Sequence, residues 1–483
     1  MNPETFNIFF YFLPEIALAA SAIILNILNS GEKVNRYSYQ IFLSGTALSL
    51  IFSLSQAYFF PQQLFSGAFS ADHYSYGAKV ILSSAILFSA AVLNSSKTSP
   101  NKLVLQLVSF TGVLMMTGVS NIFIFFFAVQ VILIPFYLLI HNFIKPVKKY
   151  YVTGSIFSGV MLYGFTLLYG LTGKTNFTDI AYSLSFDPVN SLVLNLAIVL
   201  IFTGIFFFTL SVPVNIISPA IAGKTDLSAV FHFTVIISAA VLFSAARFIF
   251  TVLHDLNNFL MIPGEINFQP EVNWKLLIII VSCCSVIAGN FVLLWTYDLK
   301  KIFSFIIISQ TGFLFIALIS GTLNGVAAFI TGLTVFAVNS AGIIYCLKVI
   351  AENHNAVKTS DLKGLGKHDK LIFISFVYFL ASSAGFPLTA GFNLRLMFFS
   401  QPGINEISWL PPVSIISSLV FIYFIYKLTA LIFSSASTVR DNKKGTYRHF
   451  ILLILLFYSI FVSIFISPVI DWAKYCSNFI GIQ

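Results

Sequence analysis

Charge is what this chain has least of. Only 9% of its 483 residues are Asp, Glu, Lys or Arg, whereas 58% are hydrophobic and the mean hydropathy is +0.92. No soluble domain of this size has that composition, so a soluble enzyme is excluded and a polytopic membrane protein is implied. Cysteine is scarce too. Cys283, Cys284, Cys346 and Cys476 show no C-x-x-C or metal-ligand spacing, and two of them lie side by side in an apolar run; they read as small apolar fillers. The histidines lack H-E-x-x-H or paired-ligand spacing, and "GLGKHDK" (364–370) lacks the G-x-x-x-x-G-K-[ST] of a phosphate loop. No metal or cofactor is expected within the chain. The formal charge of +9 does not point to nucleic acid, because the basic residues are scattered over short loops and form no stripe with aromatics.

What is abundant is apolar length. Stretches able to cross about 30 Å of hydrocarbon recur, and the chain reads as all-α with about 14 transmembrane helices. They lie near 6–28, 38–58, 76–95, 103–120, 122–142, 150–171, 188–212, 227–252, 275–296, 301–319, 325–349, 370–392, 412–434 and 449–468. The first stretch lacks the basic flank and small-residue cleavage site of a secretory signal, so it is expected to remain as a membrane helix. Most of the 26 Lys and Arg residues fall in loops after odd-numbered spans, among them Lys33, Lys97, Lys224, Lys300 and Arg440. Basic loops face the cytoplasm, so both termini are expected on the non-cytoplasmic side of a bacterial inner membrane.

Four basic residues fall inside spans: Lys79, Arg247, Arg395 and Lys427. Ionised groups at that depth cost roughly 2.5 kcal/mol or more and normally face a cavity or a partner. Lys79, near a helix end, is expected to snorkel to the interface. Arg395 and Lys427 lie deeper. Gln130 is the one amide in the apolar run 122–140 and needs hydrogen-bond partners from elsewhere.

Two spans carry breakers. "LSVPVNIISP" (210–219) contains Pro213 and Pro219, and "SAGFPLTAGFNLR" (383–395) contains Gly385, Pro387 and Gly391. Each proline removes a donor and leaves carbonyls to be satisfied by protein or water. Broken helices at matching positions of two halves point to an inverted-repeat transporter; two helices merely kinked for packing are the plainer alternative. The expected division is an N-terminal three-helix block (1–102), a five-helix repeat (103–252), a second five-helix repeat (275–434), and a C-terminal helix with its tail (449–483).

Several segments then carry a resemblance: "LPEIALAASAIILNIL" (13–28), "KKYYVTGSIFSGVMLYGFTLLYGLTGKTN" (148–176), "DLKKIFSFIIISQTGF" (298–313), "VFAVNSAG" (335–342), "DLKGLGKHDKL" (361–371) and "SAGFPLTAGF" (383–392). In this order and spacing they resemble the antiporter-like membrane subunits of respiratory complex I, the N-subunit type in particular. The resemblance implies a membrane-arm subunit N of a proton-translocating NADH-quinone oxidoreductase, coupling quinone reduction to proton movement. The chain itself would hold no redox centre. NADH, FMN, iron-sulfur clusters and quinone would belong to partner subunits, and the neighbours would be other antiporter-like and small membrane-arm subunits and lipid.

The family's proposed proton route runs through ionisable side chains near mid-membrane, which a relay needs because its members must change charge. At the corresponding positions this chain carries Gln130, Phe208 or Thr209, Asn215, Ser238, Gln310 and Arg395. The neutral ones can hold water but store no proton, and a guanidinium with a pKa above about 12 carries protons poorly. Lys149 and Lys427 are the ordinary titratable groups left near the route. The resemblance thus implies a subunit whose own channel is impaired. Open alternatives are a stand-alone or Mrp-like cation/proton antiporter and a non-conducting structural subunit.

Overall fold

The computed structural model describes residues 3–28, 37–58, 61–94, 98–140, 145–186, 189–253, 274–354, 356–367, 369–401, 404, 407–434 and 447–477. Apolar runs in lipid must pair their backbone groups internally, and helices are what form. In chain order they are α1 (Pro3–Tyr11), α2 (Leu13–Leu28), α3 (Ser38–Ser55), α4 (His73–Phe88), α5 (Pro100–Met115), α6 (Ile122–Leu139), α7 (Lys145–Thr172), α8 (Phe177–Phe186), α9 (Ser191–Phe208) and α10 (Ser218–Ala222). There follow α11 (Leu227–Phe231), α12 (Ser238–Phe248), α13 (Trp274–Val292), α14 (Leu299–Ile319), α15 (Leu323–His354), α16 (Lys370–Ala384), α17 (Ala390–Phe399), α18 (Leu410–Ile432), α19 (Tyr447–Ile464) and α20 (Ser467–Cys476). A small hairpin, β1 (Gln62–Leu64) with β2 (Phe69–Ala71), pairs Gln62 with Ala71.

Ten helices among the described residues are long and apolar enough to cross a membrane, and an eleventh crossing is made if the pair at 450–476, bent by 89°, counts as one. The expected fourteen stretches all overlap helices, but those at 6–28, 103–120, 370–392 and 449–468 fall on shorter or interrupted ones. Both expected breaks are present. After α9 the chain leaves helical geometry, with Leu210 at φ 62°, and resumes helix only at Ser218. After α16, Gly385 takes the left-handed conformation at φ 74°, and α17 starts at Ala390. Pro219 has a different role from Pro213: it lies in the first turn of α10, where its missing N–H leaves no bond unmade, so it starts a helix.

The contacts separate two units. The first comprises Met1–Thr209, Ile236–Ile278 and Tyr475–Gln483. In it β2 runs into Asp72, whose carboxylate accepts the Ser75 N–H while Ser75 Oγ accepts the Asp72 N–H, a capping box that starts α4. Asn121 caps α6 by accepting from Phe123 and Ile124 N–H, and its amide donates to Thr175 and Asn176.

The second unit comprises Leu210–Val235 and Ile279–Lys474. α14 and α15 are its innermost helices, each about nine-tenths buried. Asp298 caps α14 through Lys300 and Lys301 N–H, and the loop after α15 docks beside it, Leu299 N–H donating to the Val357 carbonyl and Thr359 N–H to that of Tyr297. Asp361 shapes that loop. Its carboxylate accepts Lys358 N–H at 2.9 Å, Val357 N–H at 3.0 Å and the Ser360 hydroxyl at 3.0 Å, and these bonds, the Lys358 one first, hold its pKa below the usual carboxylate value. A carboxyl whose pKa is lower folded than unfolded stabilises above the unfolded value of about 3.9 and loses that contribution as pH falls through the folded value. Amide exchange at Val357 and Lys358 is therefore expected to speed up as pH falls below about 4, beyond the intrinsic trend, and Asp361→Asn to remove the effect. A pH-independent protection at both amides would count against it.

Candidate functional site

The second break builds a polar site inside the second unit. Ending α16 at Ala384 frees carbonyls of its last turn. Gly385 and Phe386 N–H return to the Ser382 and Ala381 carbonyls. Ser383 is served by side chains instead: Gln310 Nε2 donates to its carbonyl at 2.8 Å and Arg395 Nη2 at 3.0 Å. Two sequence-predicted residues, on α14 and α17, thus converge on one backbone oxygen.

Arg395 is held on three sides. Its Nη1 donates to Ser418 on α18, and its guanidinium lies 4.1 Å from the Phe313 ring centroid, a cation–π arrangement. Gly385 gives it room, since a Cβ there would come within 2.6 Å of the Arg395 side chain. Gly391 serves the same turn: a Cβ at 391 would meet the Ser382 carbonyl at 1.8 Å, so only glycine lets α17 start this close to α16.

A second polar chain adjoins it. Asn339 of α15 donates to Ser382 Oγ at 2.9 Å and accepts from Ser459 of α19 at 3.1 Å. Gln310, Asn339, Ser340, Ser382, Ser383 and Arg395 are the polar lining of a cavity offering water centres about 20 Å³, enough for a water with several polar partners. Arg395 is the only charged residue in that lining. The arrangement can hold water and a fixed positive charge; none of its lining groups exchanges protons readily at neutral pH.

The other predicted residues stand elsewhere. Thr209 caps α9, its hydroxyl donating to the Ile205 carbonyl, and Asn215 accepts Ser218 N–H at 3.1 Å to start α10. Ser238 is fully buried at the start of α12, after a π-helical turn at His232–Ile237. Gln130 is half-buried on the stripe that exposes Phe123, Phe127, Ile134 and Leu138, so the 3.6-residue period turns its amide outward, and it has no hydrogen-bond partner among the described residues. Lys149 is exposed. Lys427 is not deep: it is exposed, little more than one turn from the end of α18, where a long side chain reaches the interface.

The expectation for Lys79 is overturned. It is fully buried, its Nζ 2.9 Å from Glu15 Oε1, and it donates to the Tyr11 carbonyl at 2.6 Å. A buried carboxylate offers what the interface would have offered, a partner for the charge. Arg247 also finds one: it donates to both Asp72 oxygens, at 2.6 and 2.8 Å, and to the Thr117 carbonyl at 3.3 Å. Sequence reading missed both pairs in the first unit. Their signal was present, an in-span base and an acid at a turn, but the partners lie 64 and 175 residues apart. Among the described residues no group of three His, Cys, Asp or Glu side chains is placed to hold a metal ion.

Residues 119–422 match the transmembrane family of NADH:quinone oxidoreductases and Mrp antiporters. Over 98% of its length the chain is 24% identical to NADH-quinone oxidoreductase subunit N of Chlorobium chlorochromatii, covering 95% of that protein. It is also 24% identical to the subunit N of Rhodospirillum rubrum, with 91% of each chain aligned. Its fold resembles a chain of an archaeal membrane-bound sulfane sulfur reductase (TM-score 0.82, 19% identity, covering 98% of this chain and 96% of that one). It likewise resembles chains of the Mrp complex from Dietzia sp. (0.81, 15%, 98% and 97%) and of complex I from Thermus thermophilus (0.77, 18%, 95% and 99%). On the match across most of its membrane core, the chain belongs to the NADH:quinone oxidoreductase/Mrp antiporter transmembrane family.

Proposed function

We propose that the chain is an N-type membrane-arm subunit of a proton-translocating NADH-quinone oxidoreductase, with its own proton route impaired in the second unit. The observation that carries the impairment is the cavity at the second break, where the only charge is a guanidinium. The similarity to two subunit N chains over nine-tenths or more of their length supports the assignment. Electron transfer would take place in partner subunits holding flavin, iron-sulfur clusters and quinone. This chain would complete the arm, hold water around Gln310 and Asn339, and set a fixed positive barrier at Arg395. Gln130, outward on α6, would find its amide partners on a neighbouring membrane subunit. The two breaks would sit at matching places in two five-helix repeats, 103–252 and 275–434, with both termini on the non-cytoplasmic side.

Affinity purification of the tagged chain from its native membrane tests the assignment. Flavin-bearing and iron-sulfur subunits and other antiporter-like chains are expected to come with it; their absence would remove the reading. The likeness to the Mrp chain favours a second reading, cation/proton exchange by this chain itself. Exchange requires a site that alternates between charge states, and the cavity's lining supplies none at neutral pH. Vesicles containing only this chain are expected to show no sodium-driven proton flux.

A further inference from the structure

The guanidinium at the second break is a charge without a counter-ion. Arg395 is mostly covered, and among the described residues no carboxylate lies within salt-bridge distance of it. The helices around it cannot supply one. α13, α14, α16, α17, α18 and α19 contain no Asp or Glu, and α15 contains only Glu352, in its last turn and 3.8 Å from Lys348. The other charged side chains on these helices are basic and stand toward helix ends. The first unit treats its buried bases differently: Arg247 has Asp72, and Lys79 has Glu15. A cation held out of water with no opposite charge is the costlier arrangement.

Arg395 also has donors to spare. A guanidinium carries five N–H groups, and among the described residues only two of them are used, on Ser418 and the Ser383 carbonyl. A second donor lines the same cavity. Ser340 of α15 is 3% exposed, and its hydroxyl has no hydrogen-bond partner among the described residues. The neighbouring Asn339 amide is already engaged with Ser382 and Ser459. An unneutralised cation and an unused hydroxyl thus face about 20 Å³ of room, walled on other sides by Phe313, Leu314 and Phe336. Water fits that volume and can bond to both groups, but it leaves the charge in place. An anion of a water's size would satisfy the donors and cancel the charge.

We propose that this cavity binds a monatomic halide, chloride above all, between the Arg395 guanidinium and the Ser340 hydroxyl. With room for about one water, it is too small for sulfate, phosphate or an organic acid. Occupied, the site is electrically neutral and the positive barrier at the break is lifted; empty, the barrier stands. This goes beyond the membrane-arm assignment and does not depend on it.

The test is thermal melting of the full chain in detergent, with chloride, bromide or gluconate as the anion at one pH and one ionic strength. Chloride and bromide are expected to raise the melting temperature by a few degrees along a saturating curve, as a ligand of the folded state alone does, and gluconate is not. Equal melting in all three would overturn the proposal. Ser340→Asp places a carboxylate in the same cavity and is expected to abolish the halide dependence. A dependence of wild-type size in that variant would put the halide elsewhere and would also overturn it. Should the variant fail to accumulate, anomalous scattering from bromide in crystals of the wild-type chain decides: a peak against the Arg395 guanidinium supports the site, and its absence there removes it. Failure of the redox subunits to co-purify would remove the membrane-arm assignment and leave the halide result standing.

Discussion

Arg247→Met is expected to prevent the chain from accumulating in the membrane. The guanidinium is 1% exposed and is the bidentate partner of Asp72, itself 5% exposed. Removing one member of such a pair leaves the other charged and buried, at a cost of about 3–5 kcal/mol. Native stabilities are only about 5–15 kcal/mol, so the variant is left with little margin. The damage would not stay local. Asp72 also caps α4, and Arg247 supports the Thr117 carbonyl beside the end of α5. Replacing both charges, as in Asp72→Leu with Arg247→Met, is expected to recover much of the loss, since a buried ion pair exchanged for packed apolar groups is often neutral or better. Membrane accumulation and thermal melting in detergent would check this. A single variant melting like wild type would show that the pair contributes little.

The helices were legible because lipid leaves no other structure open to long apolar runs, and the breaks because Pro213, Gly385 and Pro387 mark them. Pro219 was legible as a proline but not as the start of α10, which depends on the Asn215 turn ahead of it. Arg395 was legible as a basic residue deep in a span and Gln310 from the resemblance; their meeting at the Ser383 carbonyl depends on three helices closing around one turn, a geometry no spacing encodes. Asn339 stood within the segment 335–342 that carries the resemblance but without a role; Ser382 and Ser418 gave no sign, because hydroxyls in membrane helices more often bond their own backbone, as those of Thr311 and Ser414 do here. Lys79 and Lys427 were read the wrong way round for one reason. Where a span ends, and which way a lysine on it faces, are settled by the neighbouring helices: Lys79, near a helix end, is covered by them, and Lys427 stands exposed close to the end of α18.

Arg395→Ala is expected to disturb assembly and coupling far more than Gln130→Ala. The guanidinium ties α17 to α16 through the Ser383 carbonyl and to α18 through Ser418, and it covers the Phe313 face. Hydrogen bonds to charged groups contribute about 1.5–3 kcal/mol each, against the cost of holding the cation out of water, so a net loss of about 1–3 kcal/mol is expected. Truncation also enlarges the cavity and removes its only charge, which alters any water held between Gln310 and Asn339. Gln130 makes no bond within the described residues, so its truncation is expected to stay within about 0.5 kcal/mol in the isolated chain. Arg395→Lys separates the two contributions. A lysine keeps a cation at the break and supplies a group more able to give up its proton, but it cannot reach Ser383 and Ser418 together as a planar fork does. Its melting temperature is expected between those of wild type and Arg395→Ala, and its effect on protons moved per electron to differ in kind from that of the alanine variant. Equal assembly and equal coupling in Arg395→Ala and Gln130→Ala would remove the basis for treating Arg395 as functional.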